Sequence, residues 1–195
     1  MDDIVLRGLA KWPDVPSVYG WLHLDRRGNW LIKGEAIGNP AVTAFIARNY
    51  ERDARGCWFF QNGPQRVFVS LEYTPFVYRA VNGDGATLAI ESHTGLKAML
   101  LSGAWMDESG AVLLETEHGV GVMHDLDLEK LIPNFIDSNG TSLSEDALDE
   151  IMDTLRPGQY APLWMKYRES NIRVEPLHSH EVAQRFRFEA QPTSP

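Results

Sequence analysis

The sequence predicts an α+β protein with two β-rich halves, the first an antiparallel meander sheet beside one helix. Three observations carry this expectation. Asn62-Gly63 separates the apolar run Cys57-Trp58-Phe59-Phe60 from an alternating run, Arg66 to Leu71, which is the strongest short-range hairpin signal. Short alternating segments divided by Gly, Asn and Asp recur along the first half. Helix-start signals stand at Asn39-Pro40 and at Ser142 with Glu145.

The elements follow in order. Residues 18–24 alternate, with Val18, Leu22 and Leu24 on one face and Tyr19, Trp21 and His23 on the other. Arg26-Arg27-Gly28-Asn29 turns the chain into a returning strand over 30–33. Asn39 caps a helix with Pro40 at its first position, and Val42, Phe45, Ile46, Asn49 and Tyr50 recur at helical spacing. The hairpin comes next, with a type I′ turn expected at Asn62-Gly63 because that turn needs two residues tolerant of positive φ. In its second strand Val67, Val69 and Leu71 share one face, and Arg66, Phe68 and Ser70 the other. Residues 76–81 and 87–92 read as strands around Asn82-Gly83-Asp84-Gly85.

The second half is more helical. Residues 96–106 are apolar and fit a strand or a short helix. Asp107-Glu108-Ser109-Gly110 is a turn, and 111–117 and 119–123 read as strands. A helix is expected over 125–136, bent by Pro133. The Ser142 and Glu145 capping box opens an amphipathic helix through Leu148, Ile151, Met152 and Leu155, stopped by Arg156-Pro157-Gly158. Residues 162–168, 172–175 and 184–189 read as late strands, and 191–195 as a frayed polar tail. No internal repeat is visible. The expected division is 1–94 and 95–195.

Composition bounds the function. The chain has 195 residues, 44% hydrophobic and 23% charged, enough to bury a sizeable core without staples. Cys57 is the only cysteine, so an intramolecular disulfide and a multi-cysteine zinc site are excluded. A single thiol fits a reducing, cytoplasmic setting. Met1-Asp2-Asp3 leads into no long apolar run, so neither a secretory signal nor a transit peptide is expected. No apolar stretch approaches the roughly 18 residues of a membrane span. Net charge is −9: residues 1–97 carry +1 and residues 98–195 carry −10. An acidic surface repels phosphates, so no nucleic acid partner is expected.

Gly28-x-Trp30, Gly34 and Ile37, then a helix, Gly56-x-Trp58, Pro64-x-x-Val67-x-Val69 and Pro75-Phe76 form a pattern over residues 18–92. It resembles uncharacterised bacterial families of unknown function that pair a small β-rich domain with an α/β roll. The resemblance implies a two-part α+β fold with an α/β roll-like C-terminal half, and a bacterial source. It implies no reaction and no catalytic residue.

Candidate chemistry lies in four places. His118 and His124 with Asp125 and Asp127 suit a divalent metal or acid–base work, the basis of a hydrolase alternative. Against this, His124-Asp125-Leu126-Asp127 reads as a helix start. His178 and His180, two apart, share a strand face and suit a two-histidine chelate, or a solvated turn. Cys57 sits among apolar residues and reads as a structural thiol. Tyr19, Trp21, His23, Arg66 and Phe68 form an aromatic face suited to a peptide or a flat ligand. No Gly-x-Ser-x-Gly, phosphate loop, dinucleotide fingerprint or His-Glu-x-x-His occurs, and no cofactor is expected. The sequence therefore favours a non-catalytic module for a small molecule or protein partner, with homodimer formation as a further expectation.

Overall fold

The computed structural model describes residues 1–12, 15–83, 88–154 and 162–194, apart from the side chain of Asp153. Asp84, Gly85 and Thr87, then Leu155, the Arg156-Pro157-Gly158 helix stop and Pro195 lie outside the described residues.

The described strands form five successive three-stranded antiparallel meanders. They are β1 (Val18–Leu24), β2 (Trp30–Ile32) and β3 (Glu35–Ala36); β4 (Tyr50–Arg52), β5 (Trp58–Asn62) and β6 (Gln65–Leu71); and β7 (Phe76–Asn82), β8 (Leu88–Ser92) and β9 (Lys97–Ala98). The last two are β10 (Leu101–Met106), β11 (Val112–Thr116) and β12 (Gly119–Met123), then β13 (Phe135–Ile136), β14 (Trp164–Tyr167) and β15 (Ser170–Pro176). One rule joins them within each sheet: the first strand of a meander pairs in parallel with the last strand of the next. The three such pairs are β1 with β6, β7 with β12, and β10 with β15. Two sheets result, ordered β3-β2-β1-β6-β5-β4 and β13-β14-β15-β10-β11-β12-β7-β8-β9.

The chain divides into two compact units. One comprises Met1–Pro75, His93–Gly95 and Ala183–Pro195, and the other Phe76–Ser92 and Leu96–Val182. Strands β7 and β8, read from the sequence as part of the first meander sheet, hydrogen-bond into the second sheet, because β7 finds its parallel partner in β12.

The first unit holds the six-stranded sheet and two helices, α1 (Asp3–Lys11) and α2 (Pro40–Arg48). α2 starts as expected: the Asn39 side chain accepts from Ala41 N at 2.9 Å. Its C-terminal end is pinned by Asn49, whose buried side chain accepts from Asp2 N at 2.7 Å and donates to Phe45 O at 2.9 Å. Only one helix was expected in this half. The second helix, α1, lies against the hairpin tip at Gly8: a Cβ there would stand 3.3 Å from Gly63 Cα and Pro64 Cδ.

The hairpin tip departs from the expected turn. Asn62 pairs with Gln65, so the central residues are Gly63 and Pro64. Gly63 has φ 57°, while the proline ring holds φ near −65°. Type I′ needs positive φ at both positions, so the turn is of the II′ kind, with glycine first.

The end of the chain is pinned in the first unit. Glu189 forms a parallel bridge with Cys57, Leu71 N donates to Ala190 O at 2.8 Å, and Gln191 Nε2 donates to Leu71 O at 3.2 Å. Residues 184–189, expected as a strand, instead begin in a short helix, α4 (Val182–Arg185), and only Glu189 makes a bridge. Of the tail expected to fray, Gln191 is held by these bonds.

The second unit holds the nine-stranded sheet. In β11 Val112, Leu113 and Leu114 are all buried, so this strand is covered on both faces. Residues 125–134 form a 3₁₀ run rather than an α-helix, and Phe135 and Ile136 have already entered β13. α3 (Glu145–Thr154) is capped by Ser144, whose Oγ accepts from Ala147 N at 3.3 Å, and not by a Ser142 box. Ser142 is engaged elsewhere, in a bridge with Ile136.

Candidate ligand-binding groove

α2 is lightly seated on its sheet. Among its nine residues only Ile46 is buried. An apolar groove of about 580 Å³ runs beneath one flank of the helix. Leu22 and Trp21 from β1, Ile32 from β2, Val42 and Phe45 from α2, and Phe60 from β5 line it, with Asn62 and Gln65 as its polar side chains. Phe45 meets Phe60 edge-on at 5.5 Å. Trp21, Ile32 and Val42 remain 53%, 46% and 40% exposed. Binding cavities commonly span about 300–1,000 Å³ with a mostly apolar lining and few polar groups.

Trp21 reaches the groove through an irregularity in β1. Val18 pairs with Val67 and Leu22 with Val69, so four steps along β1 match two along β6. Gly20, at φ 72°, sits in this bulge. The extra residues break the simple alternation, and Trp21 lines the same groove as Val18 and Leu22.

The other expected aromatic residues lie in a different cluster. Tyr19 stacks flat on Phe68, with centroids 4.6 Å apart and planes 3° from parallel. Phe59 and Cys57 complete that buried cluster. Arg66 stands 4.8 Å over the Phe59 ring and Arg55 stands 5.5 Å over Phe68. His23 pairs across the sheet with Leu31 and Ser70. The structure thus brings Tyr19, Phe68 and Arg66 together and sends Trp21 to the groove. Cys57 is buried, and burial, with the Asp53 charge adding to it, pushes its thiol above the ordinary range.

The second flank of α2 borders a cavity of about 420 Å³ whose lining includes Trp30, Ile37, Thr43, Ala47 and His93. His93 packs 5.2 Å from Trp30 and 6.0 Å from Tyr50. The residue as a whole is half-buried, but its Nε2 is shut off from solvent. Burial pushes its pKa down to about 3, against a smaller opposing pull from Asp25. His93 is therefore neutral at physiological pH and supplies no proton for acid catalysis. No sequence signal singled it out, since a lone histidine acquires this character only from its neighbours.

In the second unit the histidine candidates stay separate. His118 and His124 flank β12, one at each end, roughly 17–20 Å apart at strand rise. His118 Nε2 lies 3.0 Å from Lys97 O. His124 Nδ1 caps the 3₁₀ run by accepting from Leu126 N at 3.2 Å and lies 3.1 Å from Asp125 Oδ1. His178 and His180 stack at 5.2 Å, with His178 Nδ1 4.0 Å from Glu108. Among the described residues no group of three or more His, Cys, Asp or Glu is placed to hold a metal ion. No helix among them is long and apolar enough to cross a membrane.

The fold and the site together define an α+β protein of meander sheets with an apolar groove under a lightly held helix. The chain belongs to the family designated DUF2944 and described as "Protein of unknown function (DUF2946)", which it matches over residues 1–193. No curated protein matches it. The fold is similar to that of a DUF1285 family protein from Silicibacter pomeroyi DSS-3, at TM-score 0.51 and 16% identity, covering 72% of this chain and 89% of that one. A DUF1285 family protein from Shewanella baltica OS155 is similar at TM-score 0.41 and 16% identity, covering 56% of this chain and 88% of that one.

Proposed function

We propose that this chain is a non-catalytic binding module, acting in a reducing cytoplasmic setting, whose first unit takes an elongated apolar small molecule into the groove under α2. The observation that carries this reading is the groove itself: about 580 Å³, lined by aliphatic and aromatic side chains, with Trp21, Ile32 and Val42 left partly open to solvent. Burying such side chains against a ligand stabilises the complex by about 25 cal/mol per Å² of apolar surface, less the cost of immobilising the ligand. The buried Cys57 thiol fits the reducing setting.

Titration with n-dodecanol below its solubility limit tests the reading. The full chain is expected to bind it saturably, one to one, with a change in tryptophan fluorescence. Val42→Asp, at a partly exposed lining position, should abolish that binding while leaving the circular dichroism spectrum intact. Non-saturable binding, or binding indifferent to Val42→Asp, would overturn the reading.

A further inference from the structure

We infer that the ligand of this groove is a free aliphatic carboxylate, with its chain under α2 and its head group at the ammonium of Lys33; this rests on the groove being the binding site. Two observations converge on Lys33. Its Nζ stands 4.1 Å from the centroid of the Trp21 ring, and Trp21 lines the groove. Its backbone is unusual as well. Lys33 and Gly34 form the turn between Ile32 and Glu35, with φ of 50° and 87°. Positive φ at both central positions is the I′ signature, whose first position favours Asn, Asp or Gly. A lysine there sits in a left-handed conformation that asparagine adopts more readily.

The backbone also anchors the root of that side chain, since Lys33 N donates to Trp21 O at 2.9 Å. Among the described residues no acidic side chain lines the groove, and its polar side chains, Asn62 and Gln65, are neutral. Among the described residues Lys33 forms no ion pair, not even with Glu35, the cross-strand partner of Ile32. Among the described residues the groove therefore presents an apolar lining with the Lys33 ammonium at its Trp21 wall. An aliphatic monoanion satisfies both, because its chain leaves water while its charge stays at a half-solvated rim.

Calorimetric titration with dodecanoate and dodecyltrimethylammonium, each below its micelle concentration, and with dodecanol below its solubility limit, tests this on the full chain. Dodecanoate is expected to bind about fivefold more tightly than dodecanol, the scale of a rim ion pair, with dodecyltrimethylammonium the weakest. Lys33→Asn should erase the preference for dodecanoate while leaving dodecanol binding unchanged. The same variant should raise the stability of the chain, because asparagine suits the turn; a lysine kept only for structure would not show this split. Equal affinity for dodecanoate and dodecanol in the wild type, or a preference that survives Lys33→Asn, overturns the carboxylate assignment and leaves the groove standing. Loss of all saturable binding, or binding untouched by Val42→Asp, overturns the groove and this inference together.

Discussion

The carboxylate of Asp127, 1% exposed, accepts from the guanidinium Nε of Arg79 at 2.5 Å. Ala80 N donates to the same oxygen, Oδ2, at 3.2 Å, and Lys130 Nζ donates to the other, Oδ1, at 2.7 Å. The 3₁₀ run that carries Asp127 and Lys130 is thereby fastened to β7, which carries Arg79 and Ala80. Both cations keep solvent on one side, at 46% and 56% exposure, so the desolvation cost falls mainly on the carboxylate.

This arrangement makes stability depend on acid. Burial alone would raise the Asp127 pKa, but the hydrogen bonds and charges of Arg79 and Lys130 outweigh it and hold it at about 2, below the ordinary 3.8. A carboxyl depressed in the folded state contributes stability above its unfolded pKa and loses it as pH falls through the folded one. Asp127→Asn should cost on the order of 2 kcal/mol at neutral pH. The gap between variant and wild type should narrow between about pH 4 and pH 2. Urea unfolding followed by circular dichroism at neutral and acid pH checks this, and a pH-independent gap would refute it.

Cys57 should react with a thiol reagent only when the first unit opens. Its pKa is raised and its neighbours are Phe59, Phe68 and the Glu189 bridge. Modification in the native chain is expected to be roughly a hundredfold slower than in urea, or slower still. Equal rates would show that the tail does not cover the thiol.

Removing the cap of α2 should loosen an element that has little else to hold its N-terminal end. Asn39→Ala deletes the bond to Ala41 N and should lower unfolding free energy by about 1 kcal/mol. Hydrogen exchange should rise first at residues 41–44, ahead of the end pinned by Asn49.

The bulge in β1 depends on Gly20. A Cβ there meets nothing within 4 Å, but φ is +72°, so Gly20→Ala carries backbone strain of roughly 1–2 kcal/mol without a clash. A stability loss of that size, together with a shift in tryptophan emission as Trp21 moves relative to Lys33, is expected. An unchanged spectrum and unchanged stability would mean that the strand tolerates the conformation.

Local signals in the chain carried far for single elements. The Asn39-Pro40 cap and the alternation of 66–71 are physics of a few neighbouring residues, and they appear in place. The hairpin was legible, but its turn was displaced by one residue, because only pairing of Asn62 with Gln65 shows which two residues are central. The recurring meander rule was invisible because it is a repeat of hydrogen-bond pairing and not of residues. For the candidate site, the aromatic residues were legible as a group while their distribution was not. Alternation places Trp21 with Tyr19, and the bulge at Gly20, with its positive φ, parts them. Lys33 carried no signal, since its positive φ and its place over Trp21 come from a turn the sequence reading had assigned to a strand.

By itself the sequence determined an α+β chain of short strands with a buried thiol and a capped helix. Each of these follows from propensity, period or composition acting over a few residues. Only tertiary structure decided that β7 joins β12, that α2 leaves a groove beside Trp21, and that Arg79 and Lys130 meet Asp127. Those outcomes depend on contacts between segments far apart in the chain, where register and burial, and not local preference, set the energy.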